Sequence, residues 1–291
     1  MKYYLSNGII EIEVNSRGAE LTSLRKVTSP YEYLWQGNPE YWNRHAPVLF
    51  PNVGKVWQDT AHLDGAPLTL HQHGFARDCE FQLVAEGDRY LAFRLTSDDQ
   101  TRSLFPRDFE LTIGYRLLRN VLTVEWSVLN TGQQMMPFQI GAHPGFNYPH
   151  YKADADIHGY FDFDAEGPLT SLAVSGGFAT GKSFEVELED GCRLPLGNNT
   201  FDCDTIIEAT GRVHRIAMLD AEARPYITVL HQMPITALWS PAGGRAPFVC
   251  IEPWHGRCDD TGFAGEFDRR PGVQHVQPGW TWDESYQIIV E

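Results

Sequence analysis

The chain has 291 residues, 42% of them apolar and 21% charged, with 23 Lys plus Arg against 38 Asp plus Glu and a formal net charge of −15. This balance excludes a wholly disordered chain and allows a large buried core. The charge excludes a protein that grips DNA or RNA by neutralising phosphates.

From the N-terminus, Met1 to Gly8 leads straight to Glu11 and Glu13, without the apolar stretch of a signal peptide. No run of about 18 apolar residues follows, so no membrane span is expected. Cys79, Cys192, Cys203, Cys250 and Cys258 are odd in number, widely spaced and free of any Cys-x-x-Cys pair. Unpaired thiols and a cytoplasmic location are the expectation.

The pattern along the chain is period two. Ile10, Ile12 and Val14 alternate with Glu11 and Glu13. Phe81, Leu83 and Ala85 lead through Glu86-Gly87-Asp88 to Leu91, Phe93 and Leu95. Phe109, Leu111, Ile113 and Tyr115 are followed, after Arg119-Asn120, by Leu122, Val124, Trp126 and Val128. Phe184, Val186 and Leu188 precede Glu189-Asp190-Gly191. Successive side chains of a strand face opposite ways, so each run buries one face, and the Gly, Asn and Asp breaks suit hairpin turns. No window carries a convincing helical stripe. The expectation is an all-β chain of many antiparallel strands, a sandwich or barrel, forming one domain over residues 1–291. The small, polar stretch from about Gly167 to Lys182 is expected to be a surface loop.

Five segments break the alternation: Trp35 to Lys55, His71 to Arg77, Gln139 to Phe146, Phe201 to Asp204, and Trp239 with Phe248 to Gly256. Val249, Ile251 and Glu252 read as a buried strand with an acid at its mouth. A partly desolvated carboxylate held near a proton is a general base. His143 precedes Pro144-Gly145, where the chain turns and presents the ring at a strand end, and imidazole is the side chain that most readily changes charge near neutrality. Tyr41, Trp42, Trp239 and Trp254 are more readily packing than sugar platforms. His71 and His73, with His45 and His62 upstream, offer metal donors, but no third ligand stands at a telling spacing, and no metal is expected.

Pro47-Val-Leu-Phe-Pro51-x-x-Gly54-Lys55, His73-Gly-Phe-Ala-Arg77, His143-Pro-Gly-Phe146, Asp204 in its acidic patch and Ile251-Glu-Pro-Trp254 occur in the order of the aldose 1-epimerase (galactose mutarotase) superfamily, and the chain resembles its LacX-like branch. The resemblance implies a large antiparallel β-sandwich, the supersandwich, with a sugar site on a concave face and no cofactor. It makes Glu252 the base on the anomeric hydroxyl and His143 the acid on the ring oxygen. His73 would hold a sugar oxygen, and Asp204 would accept from sugar hydroxyls. Relatives often carry arginine at Lys55; lysine lacks the flat fork, so Arg44 or Arg77 is an alternative source of that contact.

The chemistry is ring opening, rotation about C1–C2 and re-closure, with one carboxylate and one imidazole on either side of C1 and no metal, nicotinamide or phosphate donor. The expected partner is a small-molecule sugar. A free aldose is the leading substrate, a phosphorylated hexose the alternative, and a non-catalytic sugar-binding protein the third reading; no nucleic-acid or membrane partner is expected.

Overall fold

The computed structural model describes residues 1–291; the alternating segments are strands, Ile10–Asn15 in a three-stranded sheet and the others in two large antiparallel sheets. The nine-stranded sheet runs in the order Arg193–Gly197, Ile157–Phe163, Arg215–Leu219, Pro225–His231, Thr281–Val290, Val121–Asn130, Phe109–Leu118, Tyr90–Thr96, Gln82–Gly87. The eight-stranded sheet runs Phe178–Val186, Leu169–Ser175, Ile206–Glu208, Ile235–Trp239, Phe248–His255, Ile140–Ala142, Val48–Leu49, with Gly145–Asn147 also paired to Phe248–His255. The one α-helix, Asp99–Leu104, is a single capped turn and a half, with the Asp98 carboxylate accepting from the Thr101 N–H.

Alternation explains the packing. In Val121–Asn130, Leu122, Val124, Trp126 and Val128 are buried while Thr123, Glu125 and Ser127 are half-exposed. The strand pairs with Phe109–Leu118 through a tight turn in which Arg119 takes φ 55°. These apolar faces meet Phe161, Ile216, Val229, Ile288, Val249 and Ile251 in one continuous core. Each such side chain contributes about 1.5–3 kcal/mol of burial, and Trp126→Ala would remove about 3–5 kcal/mol.

The strand Phe248–His255 differs because it is buried on both faces. Val249 and Ile251 enter the core between the sheets. Trp254 packs on the opposite side with Leu49, Val53, Ile207, Ala237 and Cys258, and Cys250 packs there with Trp35, Ala246 and Phe248. Loops cover this second face, and it carries the candidate site.

The stretch expected to be a surface loop is instead a hairpin, Leu169–Ser175 with Phe178–Val186, closed by Gly176-Gly177 at φ 60° and 86°. Ladder hydrogen bonds use the backbone, so small polar residues suffice along it; Leu169 is buried in the core between the sheets and Ala179 in the smaller cluster on the opposite face. Two consecutive positive φ angles are what a two-residue hairpin turn requires.

Candidate active site

Strand register brings the first pair together. Ile140 and Gly141 pair with His255 and Trp254, and Gly145 and Phe146 pair with Cys250 and Val249. Both ladders share one register, so His143, in the turn between them, stands opposite Glu252. Directly opposed residues on neighbouring strands are in side-chain reach. Nε2 of His143 lies 3.3 Å from Oε2 of Glu252, with the two side chains 9% and 1% exposed. The two groups are thus side by side on one wall, not opposed across a hollow as the sequence suggested. Two oxygens bonded to one carbon are close neighbours, so groups that serve both must be neighbours too.

Neither group is saturated. Oε2 of Glu252 and Nδ1 of His143 are buried and make no hydrogen bond. Burial pushes the Glu252 carboxyl well above its usual range, with the nearby Trp254 indole pulling the other way. Burial, aided by the positive charge of Arg77, holds the His143 imidazole down to about 3. The Trp42 ring stacks on the imidazole at 4.7 Å and 27°, and Trp239 meets it edge-on at 5.5 Å, which fixes the ring plane.

His73 lies in the same cavity, its ring edge-on to His143 at 5.5 Å. It takes φ 67° in a turn, so His71 and His73 do not share a strand face: His71 is exposed beside Asp59 at 3.7 Å while His73 is buried. The next residue must be glycine, since a Cβ on Gly74 would sit 2.1 Å from the Phe50 carbonyl oxygen. Nδ1 of His73 accepts from the Gly54 N–H at 3.2 Å. Burial first, then His143 and Arg77, keeps its pKa well below 6.5. A neutral ring that accepts at Nδ1 carries its proton on Nε2; the Gln72 amide, whose nitrogen lies 3.3 Å away, then turns its oxygen to accept that N–H.

The cavity is about 390 Å³ and is lined by Trp42, Lys55, Gln72, His73, Arg77, His143, Asp204, Thr205, Trp239, Glu252 and Trp254 among others. That volume suits a small-molecule site with a few converging polar groups. Of the cations, Lys55 and Arg77 line it. Lys55 donates to the Gly176 carbonyl at 2.9 Å and lies over the Phe178 ring, pinning the hairpin turn. Arg77 donates to the Gln72 carbonyl at 2.7 Å; burial and the adjacent Arg44 lower its pKa to about 10. Arg44 is not brought into the cavity wall: its guanidinium pairs with Asp78 at 3.1 Å, behind Arg77. Asp204 stands at the rim with φ 77°, and Oδ1 accepts from the backbone N–H and hydroxyl of Thr205.

Three indoles, Trp42, Trp239 and Trp254, line the cavity, whereas Tyr41 packs edge-on against Trp35 outside it. Sequence reasoning missed Gln72, although it lies inside the His71-to-Arg77 segment. It also missed a buried network around Arg270, for which the sequence offers no local signal. Nε of Arg270 donates to Oδ1 of Asp259 at 2.5 Å, and Nη1 donates to Oε1 of Gln139 at 2.7 Å. Nη2 reaches the carbonyls of Val53, Lys55 and Arg257 at 3.3–3.4 Å.

The family described as aldose 1-epimerase matches residues 1–270. Protein LacX (chromosomal) of Lactococcus lactis subsp. lactis is 28% identical over 306 aligned positions, covering 100% of this chain and 99% of the relative. A galactose mutarotase-like protein from Lactobacillus casei superposes with a TM-score of 0.94 at 29% identity, covering 100% of both chains. A galactose mutarotase related enzyme from Lactobacillus acidophilus superposes with a TM-score of 0.92 at 27% identity, covering 100% of this chain and 97% of that one.

Proposed function

The chain belongs to the aldose 1-epimerase family, in its LacX-like branch, and we propose that it interconverts the α and β anomers of a free aldose. The observation that carries this reading is the His143–Glu252 contact of 3.3 Å, with unpartnered atoms on both groups, in the wall of a sugar-sized cavity.

His143 and Glu252 hold one proton between them. Burial disfavours separated charges, so the resting pair is a neutral acid and a neutral imidazole. A sugar hydroxyl bonded to the Glu252 carboxylate stabilises the other arrangement, with the proton on His143. Glu252 then takes the proton from the anomeric hydroxyl while Nε2 of His143 gives its proton to the ring oxygen. The C1–ring oxygen bond breaks, and its electron pair stays on the oxygen that becomes the C5 hydroxyl. The open aldehyde turns about C1–C2. In re-closure that hydroxyl adds to the other face of C1, returning its proton to His143, while Glu252 protonates the carbonyl oxygen. The pair ends with the one proton it began with. His73 donates from Nε2 to a sugar oxygen, Asp204 accepts from hydroxyls at the rim, and Trp42 and Trp239 hold the imidazole in plane. Arg77 supplies the cationic contact: it lines the cavity and gives only one guanidinium nitrogen to the Gln72 carbonyl, whereas the single ammonium of Lys55 is engaged by Gly176 and Arg44 pairs with Asp78 outside the wall. Each positioned acid or base contributes about 10²–10⁴-fold.

A second reading, a phosphorylated hexose as substrate, is favoured by Lys55 and Arg77 both lining the cavity. Polarimetry or NMR exchange on freshly dissolved α-glucose, α-galactose and a hexose 6-phosphate separates these readings. Acceleration of a free aldose is expected. Acceleration of the ester alone selects the second reading, and acceleration of none leaves a sugar-binding protein.

A further inference from the structure

We propose that Arg270 is a positioning residue that sets the tautomer of His73 through the loop Val53–Lys55. The proposal rests on the reading of His73 as a donor to the sugar.

Arg270 and Asp259 have side chains 0% and 1% exposed. A buried pair of this kind is weak evidence for stability, since well-packed apolar residues often do as well. What apolar residues cannot supply is direction, and the polar arms of this pair converge on the short loop and its flanks, with Nη2 also reaching the Arg257 carbonyl. Gln139, besides accepting from Arg270, accepts from the Val53 N–H at 3.0 Å. Arg270 holds the Val53 and Lys55 carbonyls on either side of Gly54. The Asp259 backbone N–H donates to the same Lys55 carbonyl at 3.0 Å, and its Oδ2 accepts from the Trp57 N–H at 2.9 Å. Gly54 is therefore clamped from both flanks, and its own N–H turns the other way, onto Nδ1 of His73. The Gly54 carbonyl accepts from the His73 backbone N–H at 3.0 Å and from the Asn52 amide at 3.1 Å. The loop and the histidine are thus locked as one unit. With Nδ1 committed as an acceptor, neutral His73 offers Nε2–H to the cavity. Without that clamp the Gly54 amide is no longer aimed, and the ring is free to place its proton on Nδ1, which puts a lone pair where the sugar needs a donor.

The test uses the full chain labelled with ¹⁵N-histidine, read by long-range ¹H–¹⁵N correlation without sugar, with the His73 signals identified by their loss in His73→Gln. The wild-type ring is expected as the Nε2–H tautomer; an Nδ1–H ring in the wild type overturns the proposal at once. Arg270→Lys keeps the buried charge beside Asp259 but lacks the fork. It is expected to give a tautomer mixture, with KM for the aldose raised roughly ten- to hundredfold and kcat much less affected, the size expected for a lost buried hydrogen bond. Gln139→Met, which keeps the Arg270–Asp259 pair, should move both readouts in the same direction by less. A folded Arg270→Lys protein whose His73 stays on Nε2–H overturns the proposal, whatever happens to KM or thermal stability. A tautomer that shifts in a protein that accelerates no sugar upholds the positioning role and removes the functional reading instead.

Discussion

Two buried ionisable pairs lie in neighbouring parts of this molecule, and they are built in opposite ways. Arg270–Asp259 is closed at 2.5 Å, with the remaining guanidinium nitrogens and the second carboxylate oxygen all spoken for. His143–Glu252 is looser: Nε2 and Oε2 approach to 3.3 Å without hydrogen-bond geometry, and neither Nδ1 nor Oε2 makes a hydrogen bond. A saturated pair can only hold its surroundings in place. An unsaturated one keeps hydrogen-bonding capacity for a third molecule and pays for it in desolvation. The contrast separates scaffold from chemistry more sharply than burial does, since no side chain of either pair is more than 9% exposed.

The contrast is open to direct attack. Replacing Glu252 by Gln should cut mutarotation by about 10²–10⁴-fold, or about 3–5 kcal/mol of barrier, while leaving the melting temperature unchanged or higher. A variant that turned over sugar at the wild-type rate would erase the distinction. Arg270→Met should do the reverse first: it strands the Asp259 carboxylate and lowers stability in denaturant titrations by about 3–5 kcal/mol. An equally stable Arg270→Met protein would mean that the pair is not a clamp.

pH gives opposite signs within the looser pair. Folded His143 stays neutral down to about 3, whereas an unfolded imidazole ionises near 6.5. Between those values the unfolded chain binds the extra proton, so this group's contribution falls as the pH is lowered. Glu252 behaves in the other sense. Its folded carboxyl keeps a proton that the unfolded one releases near 4.5, so its burial costs more as the pH rises from there. His143→Asn should therefore gain on the wild type in acid, and Glu252→Gln should gain as the pH is raised. Melting temperatures of the three proteins from pH 4 to 8 would show the two differences running in opposite directions; parallel curves would refute the assignment. The smallest effect belongs to Arg44→Ala. Loss of its solvent-accessible contact with Asp78 should change stability by about 0–1 kcal/mol and KM by less than the Arg77→Ala change measured alongside it.

Much of the architecture was legible because burial on one face leaves a mark of period two. Phe109 to Tyr115 and Leu122 to Val128 carry that mark and form adjacent strands. The Gly167-to-Lys182 stretch carries no such mark, because of its buried residues Leu169, Ser171 and Ala179 only Leu169 is a large apolar side chain, and the hairpin relies otherwise on backbone bonds. Glu252 was conspicuous as an acid after an apolar run, and His143 as an imidazole before Pro-Gly. Their direct contact was not, because it depends on a register shared by two short ladders. Arg270, Asp259 and Gln139 look like ordinary residues one at a time. They acquire meaning only when residues 131 positions apart meet, and no local pattern reports that. The positive φ of His73 is equally invisible, and it sends His73 and His71 to different environments.

One consequence of the shared register reaches beyond this chain. Slipping Phe248–His255 by a single residue would exchange Ile251 for Glu252, placing a carboxylate in the core and an aliphatic side chain at the reacting carbon. Folding and proton transfer thus fail together at this strand, so the floor of the site cannot drift. The roof is under no such bond. The Gly176-Gly177 tip lies outside that register and is tied to the site through the Lys55 side chain at the Gly176 carbonyl, so a change there is felt by a side chain and not by the strand that carries Glu252.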